Sequence, residues 1–200
     1  MSSSAELRAK LIRNLDQIEL RDMQRAPLYE SRSGRVIGPS VAGAVARKLG
    51  ASIDIVPPGK VTCPYHFHYA QEEMFVILQG EGTLRVAGER VPVHAGDVIA
   101  IPAGPEYPHQ LINTSDAPMK YLSISTQEAP EICEYPDSSK YLAYAEPAGP
   151  LLGEGKMHRA DTDLDYWDGE PRDTTRTLVR VIHASCVFAA SWDSRPREHT

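Results

Sequence analysis

Residues 63–80 read Cys63-Pro-Tyr-His-Phe-His-Tyr-Ala-Gln-Glu-Glu-Met-Phe-Val-Ile-Leu-Gln-Gly80. In an extended strand successive side chains alternate faces, so His66 and His68 point the same way. Their Cα atoms would lie roughly 6.5 Å apart, close enough for two imidazoles to converge on one ion. After a short turn, Glu73 opens a second strand with Phe75, Ile77 and Gln79 on its own face, and Met74, Val76 and Leu78 on the other. A carboxylate at the start of a neighbouring strand then completes a site begun by the two histidines. An isolated His-x-His is ordinarily a surface feature, so the rest of the chain decides its meaning.

Downstream and upstream of this stretch, short apolar or alternating runs recur every eight to twelve residues. They are 51–56, 61–68, 74–79, 83–86, 90–93, 97–101, 110–112 and 120–125. Pro57-Pro58-Gly59, Gly80-Glu81-Gly82, Ala87-Gly88-Glu89, Ala95-Gly96 and Pro102-Ala103-Gly104-Pro105 punctuate them. That rhythm predicts an all-β sandwich or barrel, and no helical pattern interrupts it to make βαβ units. No internal repeat doubles the block, so one barrel is expected. Both faces of 74–78 are apolar. One must fill the barrel and the other needs a cover: the N-terminal segment, the C-terminal segment or another subunit.

The flanks are less regular. Ser2 to Ser4 can cap a helix over about 5–15, with Leu7, Leu11, Ile12, Leu15 and Ile18 at helical spacing. Residues 21–40, with Pro27, Gly34, Gly38 and Pro39, read as loop with short extended pieces. Further strands are expected over 131–135 and 141–144, and a loop over 149–155. The acidic-aromatic stretch 161–168 lacks the central glycine and closing glutamate of a calcium loop and reads as a solvated turn. Residues 177–192 are apolar without a clean period, and the last eight read as a disordered tail. The expected organisation is an N-terminal extension over 1–40, a barrel over 41–145 and a C-terminal extension over 146–200.

Two hundred residues with 42% hydrophobic content suit one domain with a sizeable core. A net charge of −6 without a basic run argues against nucleic acid or an anionic membrane as partner. No segment is apolar for long enough to span a bilayer, and the first residues lack the apolar stretch of a signal peptide. Cys63, Cys133 and Cys186 are odd in number with no close pair, and are expected as free thiols in a reducing cytoplasm. Cys63 has the opposite parity to His66 and His68 and is not counted as a ligand. There is no G-x-S-x-G, no phosphate-binding glycine loop, no G-x-G-x-x-G before a helix and no C-x-x-C.

Gly59, His66-Phe67-His68, Glu73 and Gly80 resemble the first motif of the cupin superfamily: a glycine, H-x-H, three or four residues, E, six residues, G. The second motif, G-x5-P-x-G-x2-H-x3-N, is similar to Gly96, Pro102, Gly104, His109 and Asn113. Two spacings depart from it. Gly59 has six residues before His66 where the pattern has five, and Gly104 has four before His109 where the pattern has two. The resemblance covers about 49–126. Residues 127–138 and 165–170 also resemble segments of small stand-alone bacterial cupins. It implies a double-stranded antiparallel β-helix of jelly-roll type, with His66, His68, Glu73 and His109 as metal ligands. Fold alone does not fix function, since cupins host many chemistries.

Three neutral imidazoles and one carboxylate would leave a divalent ion at a net charge of about +1 and suit Fe, Mn, Ni, Co or Zn better than Ca or Mg. Two open positions on an octahedral ion would take water, oxygen or a chelating substrate. Phe75, Ile77 and Leu111, on ligand parity, would line a dry wall. His94, His158, His183 and His199 receive no role. The loop Pro105-Glu-Tyr-Pro108 carries the two extra residues of the second motif, and Glu106 and Tyr107 are its candidate substrate-contacting, catalytic groups. The expected activity is metal-dependent chemistry on a small polar molecule: dioxygenation, isomerisation or lyase chemistry on a keto or hydroxy acid or a sugar. The alternative is a non-catalytic small-ligand or sugar-binding cupin. A ligand-sensing regulator fares worse, because the forty residues before the barrel are too few for a helix-turn-helix domain. A homodimer is the expected assembly.

Overall fold

The structure is a computed structural model, which describes residues 2–25, 27–39, 41, 43, 45–145, 155–160 and 162–170. A helix, α1 (Ser4–Leu11), is followed by thirteen strands. They are β1 (Arg21–Arg25), β2 (Tyr29–Ile37), β3 (Leu49–Val56), β4 (Phe67–His68), β5 (Glu73–Gln79), β6 (Glu81–Val86) and β7 (Glu89–His94). Then come β8 (Val98–Ile101), β9 (His109–Ile112), β10 (Met119–Thr126), β11 (Glu131–Tyr135), β12 (Lys140–Tyr144) and β13 (Lys156–Arg159). They form a six-stranded sheet ordered β1-β2-β3-β10-β5-β8, a four-stranded sheet β13-β12-β11-β4 and a three-stranded sheet β7-β6-β9. Every pairing between these strands is antiparallel. This is the all-β jelly roll that the strand rhythm and motifs predict.

The main core lies between the six-stranded and three-stranded sheets. Val56, Phe75, Ile77, Ile101, Met119 and Tyr121 come from the first, and Leu84, Val93 and Leu111 from the second. Burial along β5 follows the expected parity: Phe75 and Ile77 are inside, while Met74 and Leu78 are exposed. Gly80 closes β5 at φ +81°, where a Cβ would come within 2.8 Å of the Pro118 carbonyl oxygen, so only glycine fits that turn. Asn113, the last residue of the second motif, is fully buried and holds the next loop. Its Nδ2 donates to the carbonyls of Val56 and Ala117, and its Oδ1 accepts from the Ser115 backbone and hydroxyl.

Three expectations are corrected. The stretch 61–68 is not one strand. Val61 bridges Tyr29 and Ile112, the chain then bends through Pro64, which has no N–H to give a ladder, and only Phe67–His68 is strand. Residues 21–37 are not loop but the hairpin of β1 and β2. Ser31 and Ser33 face a buried Asp54, so the strand shows no apolar alternation; Ser33 donates to Asp54 at 2.5 Å and Ser52 at 2.9 Å. Gly34 lies under the N-terminal segment, where a Cβ would meet Ile18 at 2.5 Å and the Glu19 carbonyl at 2.6 Å. The helix, capped reciprocally by Ser3 and Glu6, stops at Leu11 because Ile12 is extended, and Leu15–Gln17 is a 3-10 turn. Leu7, Leu11 and Ile12 are exposed.

The chain divides into two units, residues 1–161 and 162–200. In the second, the expected turn is present: the Trp167 N–H donates to the Asp165 carboxylate, and the Glu170 N–H to the Trp167 carbonyl. The expectations for 177–192 and for the last eight residues lie outside the described residues, as does most of the expected loop over 149–155.

Candidate metal centre

The candidate site stands where the three sheets meet. Glu73 opens β5 of the six-stranded sheet, His109 opens β9 of the three-stranded sheet, and His68 ends β4 of the four-stranded sheet. His66, just before β4, is locked to His109 by reciprocal backbone hydrogen bonds of 3.1 and 2.8 Å. The two extra residues after Gly104 therefore do not displace His109 from the cluster.

Glu73 Oε2 lies 2.8 Å from Nε2 of His109, 3.6 Å from Nε2 of His66 and 3.7 Å from Nε2 of His68. His66, Glu73 and His109 each offer a ligand atom within 4.8 Å of the others. Nδ1 of His66 is engaged by the Pro64 carbonyl at 2.8 Å and Nδ1 of His109 by the Tyr107 carbonyl at 3.2 Å. With Nδ1 donating, both rings turn Nε2 to the centre, where it donates to Glu73 when protonated and offers a lone pair once that proton leaves. Phe75 packs against His109 with ring centroids 5.6 Å apart, and Ile77 and Leu111 are buried with Phe75 in the same core cluster.

Burial would raise the Glu73 carboxyl, but hydrogen bonds from His109 and His66 and the nearby His68 hold it well below the usual carboxylate range. Burial would lower His66, yet Cys63 and Glu73 beside it keep it well above the ordinary imidazole value. The cluster thus balances its buried carboxylate with a proton on imidazole. A divalent cation can take that proton's place, since metal binding to histidine releases protons. The donor set fits a transition ion: nitrogen-rich, with one oxygen, in a water-poor recess.

Two neighbours carry no sequence motif. Glu131, 1% exposed, accepts from the backbone N–H groups of Tyr69 (2.9 Å), Ala70 (3.1 Å) and Gln71 (2.8 Å), and its Oε1 lies 3.6 Å from Nδ1 of His68. It clamps the turn between His68 and Glu73 from 58 residues beyond Glu73. Cys133 stands opposite His68 across β11 and β4, and its sulfur lies within 4.8 Å of donor atoms of His66 and His68. Burial pushes its thiol up to about 11, so it is a neutral neighbour at physiological pH. Cys63 and Cys133 are free thiols, as expected, and Cys186 lies outside the described residues.

Glu106 and Tyr107 stand apart from the cluster. The Glu106 carboxylate folds over Gly104, and the Tyr107 ring is 47% exposed. Among the described residues neither side chain makes a hydrogen bond or ion pair, and Tyr107 touches the site only through its carbonyl. No helix among the described residues is long and apolar enough to cross a membrane.

A family model for the cupin domain matches residues 52–125. An uncharacterised protein of Methanocaldococcus jannaschii is 35% identical over 101 residues, covering 48% of this chain and 77% of that protein. An oxalate-binding protein of Thermotoga maritima is 33% identical over 69 residues, 34% of this chain and 54% of that one. Among solved structures, a cupin-superfamily sugar phosphate isomerase of Silicibacter pomeroyi superposes with a TM-score of 0.61 at 25% identity, over 78% of this chain and 96% of that one. The matched span contains all four candidate ligands and the core that holds them, and the chain belongs to the cupin superfamily.

Proposed function

We propose that this cupin is a metal-dependent enzyme acting on a small polar molecule, and that among dioxygenase, isomerase and lyase chemistries it isomerises a sugar phosphate. The observation that carries the metal is the convergence of three Nε2 atoms on one carboxylate oxygen at 2.8–3.7 Å. His66, His68, Glu73 and His109 would hold a divalent transition ion. Bound there, it would act as a Lewis acid on a carbonyl or hydroxyl oxygen. The chain's own part is to fix the donors, aim Nε2 at the centre by engaging Nδ1, and exclude water with Phe75, Ile77 and Leu111. The choice of isomerisation is supported by the likeness to the S. pomeroyi sugar phosphate isomerase along nearly its whole length. The likeness to an oxalate-binding protein favours the alternative, a binding module using the same pocket. The protein would act as a homodimer joined through the outer face of β5 and β8.

The test is metal analysis of freshly purified protein, followed by NMR assay of a panel of aldose and ketose phosphates with and without added metal. Turnover that vanishes on chelation and returns with Fe, Mn, Co, Ni or Zn supports the enzyme. Metal-dependent binding without turnover selects the binding module. Protein that holds no transition metal, and takes none up at micromolar concentration, overturns both.

A further inference from the structure

The four-stranded sheet leads away from the candidate ligands in register. His68, Cys133, Leu142 and Met157 stand opposite one another across β4, β11, β12 and β13. In the next row on the same face stand Tyr135, Lys140 and Arg159. Directly opposed residues of antiparallel strands share a face, as do residues two apart on one strand. Lys140 and Arg159 therefore look to the side on which His68 and Cys133 lie. Tyr135 links the row to the centre: its ring stacks on His66 with centroids 6.1 Å apart, and Lys140 Nζ lies over it at 5.3 Å.

What sets these two cations apart is their direct opposition on one face of the sheet, with no carboxylate between them. Arg85 is held by both oxygens of Asp137 at 2.6 and 2.8 Å, Lys60 by Glu30 and Lys120 by Asp16. Among the described residues neither Lys140 nor Arg159 has an ion-pair partner. Like charges placed directly opposite on a sheet repel, so the pair costs stability unless an anion lies between them. A depression of about 310 Å³ opens there, lined by Ser138, Lys140, Met157, His158 and Arg159.

We propose that Lys140 and Arg159 bind the phosphate of the substrate whose sugar reaches the His66–Glu73 cluster. This deepens the reading of the site as acting on a sugar phosphate and rests on it. A guanidinium fork beside an ammonium is a strong donor set for a phosphate dianion. The spacing suits such a ligand. At about 4.8 Å per strand, β12 lies roughly 10 Å and β13 roughly 14 Å from β4, distances on the order of an extended phosphorylated sugar.

The test is titration calorimetry of the metal-loaded full chain with ribose 5-phosphate and fructose 6-phosphate, each beside its parent sugar. At least one phosphorylated sugar should bind roughly tenfold or more tighter than its parent, the effect of one or more charged hydrogen bonds. Lys140→Gln and Arg159→Gln should each remove most of that preference while parent-sugar binding and metal content stay unchanged and the melting temperature does not fall, since relieving the repulsion can only raise it. Equal affinity for phosphorylated and parent sugars, or a preference that survives in the double variant, overturns the subsite. So does an equal loss in Arg85→Gln, which would mark a general charge effect. If the preference depends on Lys140 and Arg159 but no sugar phosphate is ever turned over, the subsite stands and the isomerase reading falls.

Discussion

Glu131 Oε1 lies 3.6 Å from Nδ1 of His68, the one buried side-chain nitrogen or oxygen among the described residues without a hydrogen-bond partner. The carboxylate is already committed to three backbone N–H groups of the turn that separates His68 from Glu73. It thus fixes the distance between two candidate ligands and stands ready to accept from His68 once Nε2 is engaged. Carboxylates behind metal-bound histidines commonly set affinity by 10–100-fold. Glu131→Ala should therefore weaken metal binding by about that factor. It should also lower stability by about 2 kcal/mol, because the Ala70 and Gln71 N–H groups lose their acceptor while Tyr69 keeps the Ile132 carbonyl. Chelator competition and urea unfolding read the two effects separately. Unchanged affinity in the folded variant would reduce Glu131 to a purely structural clamp.

The opposed shifts of Glu73 and His66 set a pH dependence. Glu73 is lowered on folding, so its contribution is present above the unfolded carboxyl value and lost as pH falls through the folded one. His66 is raised, so its contribution is full below the ordinary imidazole value of about 6.5 and lost as pH rises through the folded value. The chelator-treated protein should therefore lose stability above about pH 6.5, and His66→Asn should flatten that slope. Metal affinity should move the other way, rising roughly tenfold per pH unit until the displaced proton is gone. Thermal melts and chelator competition from pH 6 to 9 measure both. PH-independent affinity across that range would mean that no proton is displaced.

Which parts of this were legible follows from their physics. The His66-x-His68 pair and Glu73 sit at period-2 positions beside turn glycines, so parity alone assigned faces, and Phe75 and Ile77 fall inside as expected. Strand β2 was hidden because its buried side chains are Ser31 and Val36, with Ser33 turned to a carboxylate. A polar network inside a sheet leaves no apolar alternation to read. Glu131 was hidden for a different reason. Its partners are 60–62 residues away, and only the pairing of β11 with β4 brings it to them. A lone Glu before alternating Ile132, Cys133, Glu134 and Tyr135 looks like any strand start.

The outer face of β5 predicts the assembly. Met74 is 36% exposed, Leu78 40% and Val98, on the neighbouring β8, 63%. Ile18 and Leu20 cover only the far end of the sheet, over Gly34. The proposed homodimer should use this strip in an isologous contact. Light scattering should report twice the chain mass, and Val98→Asp with Met74→Asp should shift it to monomer without loss of metal. A monomer across a wide concentration range in the unmodified protein would count against the dimer.

The loop Pro105–Pro108 gives the last prediction. Two prolines stiffen it, which lowers the entropy lost when it is ordered. Its backbone already serves the centre, since the Tyr107 carbonyl engages Nδ1 of His109. Its side chains are spare: the Tyr107 ring is half exposed and the Glu106 carboxylate rests on Gly104, whose φ of +114° turns the chain there. Side chains carried on a stiff loop whose backbone meets the centre, yet bonded to nothing among the described residues, suit contact with a ligand. Tyr107→Phe removes one hydroxyl and keeps the carbonyl, so metal content and melting temperature should stay nearly unchanged. Substrate affinity or turnover should fall roughly three- to tenfold, the worth of one hydrogen bond. Glu106→Gln should act similarly if the carboxylate orients a bound group. Substrate titration of both variants decides. If binding and turnover survive intact in each, the loop is a spacer that delivers His109, and specificity belongs to the wall around Phe75 and Leu111.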